Sequence, residues 1–418
     1  MKANIRFIRR AAVFAGLAAL IAALNAAAWH STSFCDWYIA NIFPLWVNLY
    51  GRFTGLFPFS VGEWLLGAGV ALIAAAAIFA IVWAVLGAAL LIRRLFMAKG
   101  QKGRLRFDGF RRVTAGFYRF FVWTVLIVSL IMTLNCFILY HASTFSEHYF
   151  GEDDGEYELT ELIAVYNMVA EQCNYLATVM ERDEKGMVVY VGADRGLKDA
   201  EYRRQLRDMA DRARELMREL GKEYPQLDGY YPRPKALFSS DFMCQQYMQG
   251  YYFPFSMEAN YNDVMHILNI PATMCHELAH LRGYIFEDEA NFIGYLACVQ
   301  SEDAFFQYSG YLSVLNYLNN DLYRAWEESR VSYEAAVAVI RPVAVDERVW
   351  EDNIFVTQEE WDRINKTALL DTEIVDEVSD AFIDTNLKVN GVTDGAVSYS
   401  RVVRLLLQYY RQQQAVTR

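Results

Sequence analysis

The residues best suited to chemistry are His276, Glu277 and His280, in the run His276-Glu277-Leu278-Ala279-His280. On a helix, positions four apart share a face. Two imidazoles on one face, with a carboxylate beside the first, form the HExxH arrangement of a catalytic zinc. The chain holds only six histidines in 418 residues, so a chance match is rare. The plainer reading, two histidines merely buried on a helix, stands beside it. A hydrolytic zinc takes three protein ligands and keeps one position for water. Zinc lowers the pKa of that water to about 7, and Glu277 is the carboxylate placed to take its proton. The expected cofactor is therefore Zn2+, with Glu277 as general base.

A third ligand must follow from elsewhere. Pro271 suits the first turn of the helix, and Gly283 can end it in a left-handed conformation. A second helix is expected from about Glu287, continued by Phe292, Ile293, Leu296 and Ala297. Glu287 and Glu289 are both candidates. They are two apart, so they face different directions and cannot easily share one metal, and Glu287 shares its face with Asn291. The spacing of Gly283 also fits HExxHxxGxxH, but Phe286 stands at that pattern's third-ligand position and cannot bind metal. The acidic trio Glu287, Asp288 and Glu289 is in addition favourable charge at a helix N-terminus. None of the six cysteines forms a CxxC pair, which excludes a zinc ribbon or a thioredoxin motif. Cys136 and Cys275 read as small buried apolar residues. A disulfide among Cys173, Cys244 and Cys298 stays open.

These residues sit in a chain of two halves. Hydrophobic residues make up 54%, concentrated in the first third. Residues 1–145 carry 14 Lys/Arg and 3 Asp/Glu; residues 146–418 carry the remaining 25 and 47. An acidic second part excludes nucleic acid as a partner, because neutralising phosphate supplies most of such affinity. Apolar runs at about 11–29, 64–92 and 120–140 are long enough to span a bilayer, making the lipid bilayer the expected partner. Ala26-Ala27-Ala28 allows cleavage as a signal peptide, but the first run exceeds a usual signal core. Residues 30–60 are aromatic, nearly uncharged and broken by Pro44 and Pro58, as in an interfacial loop or short surface helix. The N-terminus and the 93–119 loop are basic, which predicts a cytoplasmic N-terminus and residues 146–418 outside the cytoplasm.

In the second part, helices are expected over Leu159–Met180 and Leu197–Leu220, the latter ending at Gly221 with a solvated charged face. Residues 236–238 and 251–255 read as short strands of a small sheet, with Pro254 marking an edge. An exposed edge beside a metal site can take an extended peptide as a further strand, or simply cover the core. Tyr261, Tyr295, Tyr308, Tyr311, Tyr317, Arg324 and Arg330 are donors of the type an oxyanion needs, but their spacing is equally that of core residues. Trp350 to Trp361 reads as a linker, Asp371 to Asn386 as an acidic helix, Asn390-Gly391 as a turn and Tyr399 to Tyr410 as a terminal helix.

HExxH followed by Glu287-Asp288-Glu289-Ala290-Asn291 resembles the gluzincin metallopeptidases. That resemblance implies His276, His280 and Glu287 as zinc ligands, with Asn291 orienting a zinc-bound histidine. Asn291 departs from the more usual Asp, and the gap from His280 to Glu287 is short. More widely, three N-terminal spans, HELAHLRGYIFEDEANFIGYLAC and NLKVNGVTDGAVSYSRVVRLLL are similar to the DUF3810 family, an uncharacterised group of bacterial membrane proteins. The expected architecture is a three-helix transmembrane region, 1–145, followed by a mainly α, α+β zincin-like domain with a small edge-strand sheet, 146–418. The expected function is zinc-dependent hydrolysis of peptide or protein substrates outside the cytoplasm. The alternative is a non-catalytic zinc-containing binding or sensor protein at the cell surface. Glu277 argues against it, since a structural zinc needs no base.

Overall fold

The computed structural model describes residues 2–96, 107–151, 157–190, 199–368, 370–389 and 399–416. Three helices are long and apolar enough to cross a membrane: α1 (Lys2–His30), α3 (Val61–Phe96) and α4 (Asp108–Met132). Helical turns carry α4 on to His141. Between α1 and α3 lie α2 (Thr32–Asn41) and a continuous helical stretch from Phe43 to Thr54. Its Phe43, Val47, Gly51 and Thr54 are buried, while Leu45, Leu49, Phe53 and Leu56 are exposed. This is the surface helix expected for 30–60, with one apolar stripe packed and one bare.

The remainder is mostly helical: α5 (Leu159–Val179), α6 (Asp199–Glu223), α7 (Ile270–His280), α8 (Glu287–Val299), α9 (Ala304–Glu328) and α10 (Tyr399–Val416) are its principal helices. α8 is central. Ala290, Phe292, Ile293, Tyr295, Leu296, Ala297 and Cys298 bury it on almost every side, as an all-round apolar helix requires. It packs against α7, α9, α6 and α10. Gly294 permits the closest of these contacts, since a Cβ there would fall 2.9 Å from the Ala272 carbonyl of α7. On α10, Val402, Leu405 and Leu406 are buried on one face.

The sheet has three strands in the order β1-β3-β2: β1 (Lys235–Ala236), β2 (Gly250–Phe253) and β3 (Glu258–Tyr261). β3 runs parallel to β1 and antiparallel to β2. Three details differ from the sequence reading. α6 does not stop at Gly221 but continues to Glu223, ending before Pro225. Leu237 and Phe238 lie beyond β1, and Phe238 is 99% exposed. The central strand β3 is unanticipated, because all four residues of Glu258–Tyr261 are buried and show no alternation. The linker at 350–361 holds the end of one short helix, Glu347–Asp352, and the start of another, Gln358–Thr367, capped by Thr357. The 371–386 helix is Thr372–Val389, and the Asn390-Gly391 turn lies outside the described residues.

The hydrophobic core crosses residue 145 without a break. Ala28, Cys35, Tyr38, Ile39, Phe43, Val47, Ile138 and Leu139 belong to the same buried cluster as Leu278, Phe292 and Leu406. All six cysteines are free and buried. Cys275 and Cys298 are neighbours, their sulfurs 4.0 Å apart across α7 and α8.

Candidate metal centre

α7 presents His276 and His280 from successive turns, their rings perpendicular and 4.8 Å apart. Pro271 opens this helix, and Gly283, at φ 95°, turns the chain after it. That conformation is open to glycine and strained for other residues. Gly283 also lies against Ile39 of α2, leaving no room for a Cβ. The chain then enters α8 at Glu287.

Glu287 Oε2 is 3.0 Å from His276 Nε2, and Oε1 is 3.8 Å from His280 Nε2. Glu277 Oε1 is 4.0 Å from His276 Nε2. His276, Glu277 and His280 offer ligand atoms all within 4.8 Å of one another. Two carboxylates thus flank the imidazole pair, and only Glu287 lies within 4 Å of both Nε2 atoms. Glu289, the other sequence candidate, points elsewhere. It is buried and accepts the backbone N–H of Phe145, fastening the segment that leaves α4.

The far side of each imidazole is also accounted for. His280 Nδ1 lies 2.7 Å from the Tyr284 carbonyl, which can only accept, so the proton sits on Nδ1 and the Nε2 lone pair is free. His276 Nδ1 is 2.9 Å from Asn291 Oδ1. The Asn291 amide N–H donates to the Tyr317 hydroxyl at 3.3 Å, leaving the carbonyl end to accept from the histidine. With both Nδ1 atoms engaged, the two Nε2 atoms face the Glu287 carboxylate, the side on which a metal would be held.

Glu277 and His280 are each only 4% exposed. Glu277 Oε2 has no hydrogen-bond partner among the described residues. An unpartnered buried oxygen is expensive unless something else occupies its surroundings. β2 approaches it closely: a Cβ on Gly250 would fall 2.5 Å from Glu277 Oε1 and 2.8 Å from the Asn260 carbonyl. Only glycine fits there.

Burial pushes the Glu277 carboxyl up to about 8; the His276 imidazole opposes this and Glu287 reinforces it. Burial holds His280 down at about 4. For His276 burial acts downward, but the hydrogen bond and charge of Glu287 outweigh it and the imidazole is raised. For Glu287 desolvation acts upward, and His276 and His280 overcome it to bring the carboxyl to about 2. The Glu287 side chain is 60% exposed, so attraction to the imidazoles decides its charge.

The other named donors are engaged away from this point. Tyr261 is buried in β3, Tyr295 bonds Tyr410, Tyr308 bonds Asp352, and Tyr311 packs on Tyr295. Arg324 pairs with Asp321 and Arg330 stacks on Trp326. Tyr317 alone reaches the site, through Asn291. Tyr140 and Tyr251 were missed. Tyr140 stacks edge-on against Phe286 at 5.5 Å, and both tyrosines lie within electrostatic reach of Glu287. Tyr140 ends the third apolar segment, so no local signal connects it with a motif 136 residues away.

Residues 38–407 match the family described as "Protein of unknown function (DUF3810)". The chain belongs to the DUF3810 family. That match takes in the end of α2, the second and third apolar helices, the HExxH and Glu287 helices and the first half of α10. No curated protein and no solved structure matches the chain. In this DUF3810 protein the donor set fits a zinc ion: two imidazole Nε2 atoms, one charged carboxylate, and no thiol among the residues that converge.

Proposed function

We propose that the protein is a membrane-anchored zinc metallopeptidase with a zincin-like domain, hydrolysing peptide bonds outside the cytoplasm. One observation carries this reading. Both Nε2 atoms converge on Glu287, while beside them the buried Glu277 carboxylate has one oxygen, Oε2, without a hydrogen-bond partner among the described residues. A structural zinc has no use for that second carboxylate.

His276, His280 and Glu287 would hold the metal, with Asn291 and the Tyr284 carbonyl holding the two imidazoles in register. Bound zinc supplies Lewis acidity, making water nucleophilic near neutral pH. Glu277 accepts a proton from the attacking water as its oxygen adds to the substrate carbonyl. It then gives that proton to the departing amine as the C–N bond breaks. β2 pairs with β3 on one edge only among the described residues. Its other edge is free to take an extended peptide by main-chain hydrogen bonds, and Gly250 of the same strand lies against Glu277. The basic N-terminus and basic 93–119 loop support a cytoplasmic position for both, and hence an extracytoplasmic catalytic domain.

The test is hydrolysis of a diverse peptide library, free and displayed on lipid vesicles, by the zinc-loaded full chain. The expected result is cleavage that falls by about 10²–10⁴-fold in Glu277→Gln at equal zinc content. No cleavage by a chain carrying stoichiometric zinc, or cleavage unchanged by Glu277→Gln, would overturn the enzyme reading.

A further inference from the structure

The catalytic cluster is tied to the membrane by a short path. Gly250 of β2 touches Glu277, and Phe253 at the other end of β2 crowds Gly62, the second residue of α3. Three residue steps separate them, about 10 Å at the usual strand rise. The turn after β2 is pinned at the same level. Asn135, near the end of the third apolar segment, donates to the Pro254 carbonyl at 2.8 Å, and Tyr252 OH donates to the Asn135 carbonyl at 3.0 Å. The Glu258 carboxylate accepts the Val61 and Gly62 N–H groups. The Glu63 carboxylate accepts those of Phe238 and Ser239 at 2.9 and 2.7 Å.

The level of the bilayer follows from what protein leaves bare. The apolar window of α3 is 0% buried, and Trp64, Leu65 and Leu66 are exposed. Only lipid can cover them, so lipid reaches up to Glu63 and Trp64. Val61–Ile92 spans 32 residues, about 48 Å of helix, enough for a whole bilayer with its headgroups. At this same level Leu45, Leu49, Phe53, Leu56 and Phe59 are exposed, as are Phe238 and Phe242 of the catalytic domain. The exposed groups of the site lie near the end of the third apolar segment. Glu287 is open to solvent, Tyr251 is 40% exposed, and Tyr140, from the last turn of the third apolar segment, stands beside both.

We propose that the catalytic domain rests on the bilayer through Phe238, Phe242 and the 45–56 stripe, and cleaves membrane-anchored polypeptides in the extended segment next to their anchor. This deepens the peptidase reading and rests on it. At about 10 Å from the bilayer surface, the site meets a bond about three to six extended residues from an embedded anchor. A long soluble loop reaches it too, but without the gain in local concentration that a shared membrane confers.

Two measurements on the full chain in phosphatidylcholine–phosphatidylglycerol vesicles test this. The first places a nitroxide at Phe238→Cys, the six native cysteines being buried, and compares quenching by oxygen with quenching by an aqueous nickel chelate. A lipid-like ratio is expected; a water-like ratio overturns the placement. The second compares one randomised peptide library, free and attached to a transmembrane anchor, with cleavage sites mapped by mass spectrometry. Cuts clustered three to six residues from the anchor, at least tenfold faster than in free peptides, are expected. Equal rates without clustering overturn the proposal and leave the peptidase standing. No cleavage in either arm at full zinc occupancy overturns both.

Discussion

Glu277, Glu287 and Glu289 are three carboxylates within thirteen residues, and each meets a different environment. Glu277 is buried with Oε2 unpartnered among the described residues, Glu287 is exposed and faces two imidazoles, and Glu289 holds a backbone N–H behind α8. The helical spacing of His276 and His280 made their shared face legible, because a four-residue interval fixes a face whatever surrounds it. The same spacing left Glu287 and Glu289 both as candidates, and the preference for Glu287 came from the gluzincin resemblance. The supports were not legible. The Tyr284 carbonyl, Tyr317 and the Gly250 cradle come from a turn, another helix and a strand, and only tertiary packing brings them together. Asn291 makes the supporting role testable. Asn291→Ala removes the acceptor that orients His276 and is expected to weaken zinc affinity by about 10–100-fold without unfolding the chain, as read by competition with a chelating dye.

At the scale of elements, the long amphipathic helices were readable from period alone, and the sheet was readable only in part. β3 carries Glu258 and Asn260 in a fully buried strand. Glu258 is buried because Lys235 and two backbone N–H groups compensate it, and no sequence pattern announces such partners. The joint between α7 and α8 sets the distance between the histidines and Glu287. Gly294→Ala would drive a methyl into the Ala272 carbonyl and close to His276. A loss of about 1–3 kcal/mol in stability is expected, with weaker zinc binding, measured by denaturant unfolding with and without metal.

A peripheral ion pair gives a pH-dependent expectation. Arg363 grips Asp241 with both guanidinium nitrogens and bridges the helices Ser240–Cys244 and Gln358–Thr367. The hydrogen bond from Arg363 holds the Asp241 carboxyl below its usual value, burial opposing it. A lowered folded pKa stabilises above the unfolded value near 4 and is lost as pH falls through the folded one. Both side chains are nearly half exposed, so the effect is below about 1 kcal/mol. Wild type is expected to melt slightly above Asp241→Asn at pH 7, and the gap to narrow as the pH falls below the ordinary carboxylate range. A gap that widens on acidification would contradict the assignment.

For the whole molecule, the three apolar helices were legible from composition, but the relation of the domain to them was not. Ile39, Gly62 and Asn135, all within the first third of the chain, contact Gly283, Phe253 and Pro254, the turn after α7 and the far end of β2. Sequence distance is a poor guide when a segment returns to its own anchor. The ends of the apolar segments that meet the domain alternate: C-terminal for α1, N-terminal for α3 and C-terminal for the segment that begins with α4. A reporter fused after Arg418 is expected to be active only outside the cytoplasm; activity only inside would reverse the orientation.

Two histidines of α7 and one glutamate of α8 are proposed to hold a zinc ion. Metal analysis of the purified full chain, with zinc-edge X-ray absorption, tests it most directly. One zinc per chain with nitrogen and oxygen neighbours and no sulfur is expected, retained in Glu289→Gln, lost in His276→Ala and weakened at least tenfold in Glu287→Ala. A chain that takes up no zinc, or that keeps it fully in His276→Ala, would contradict the claim.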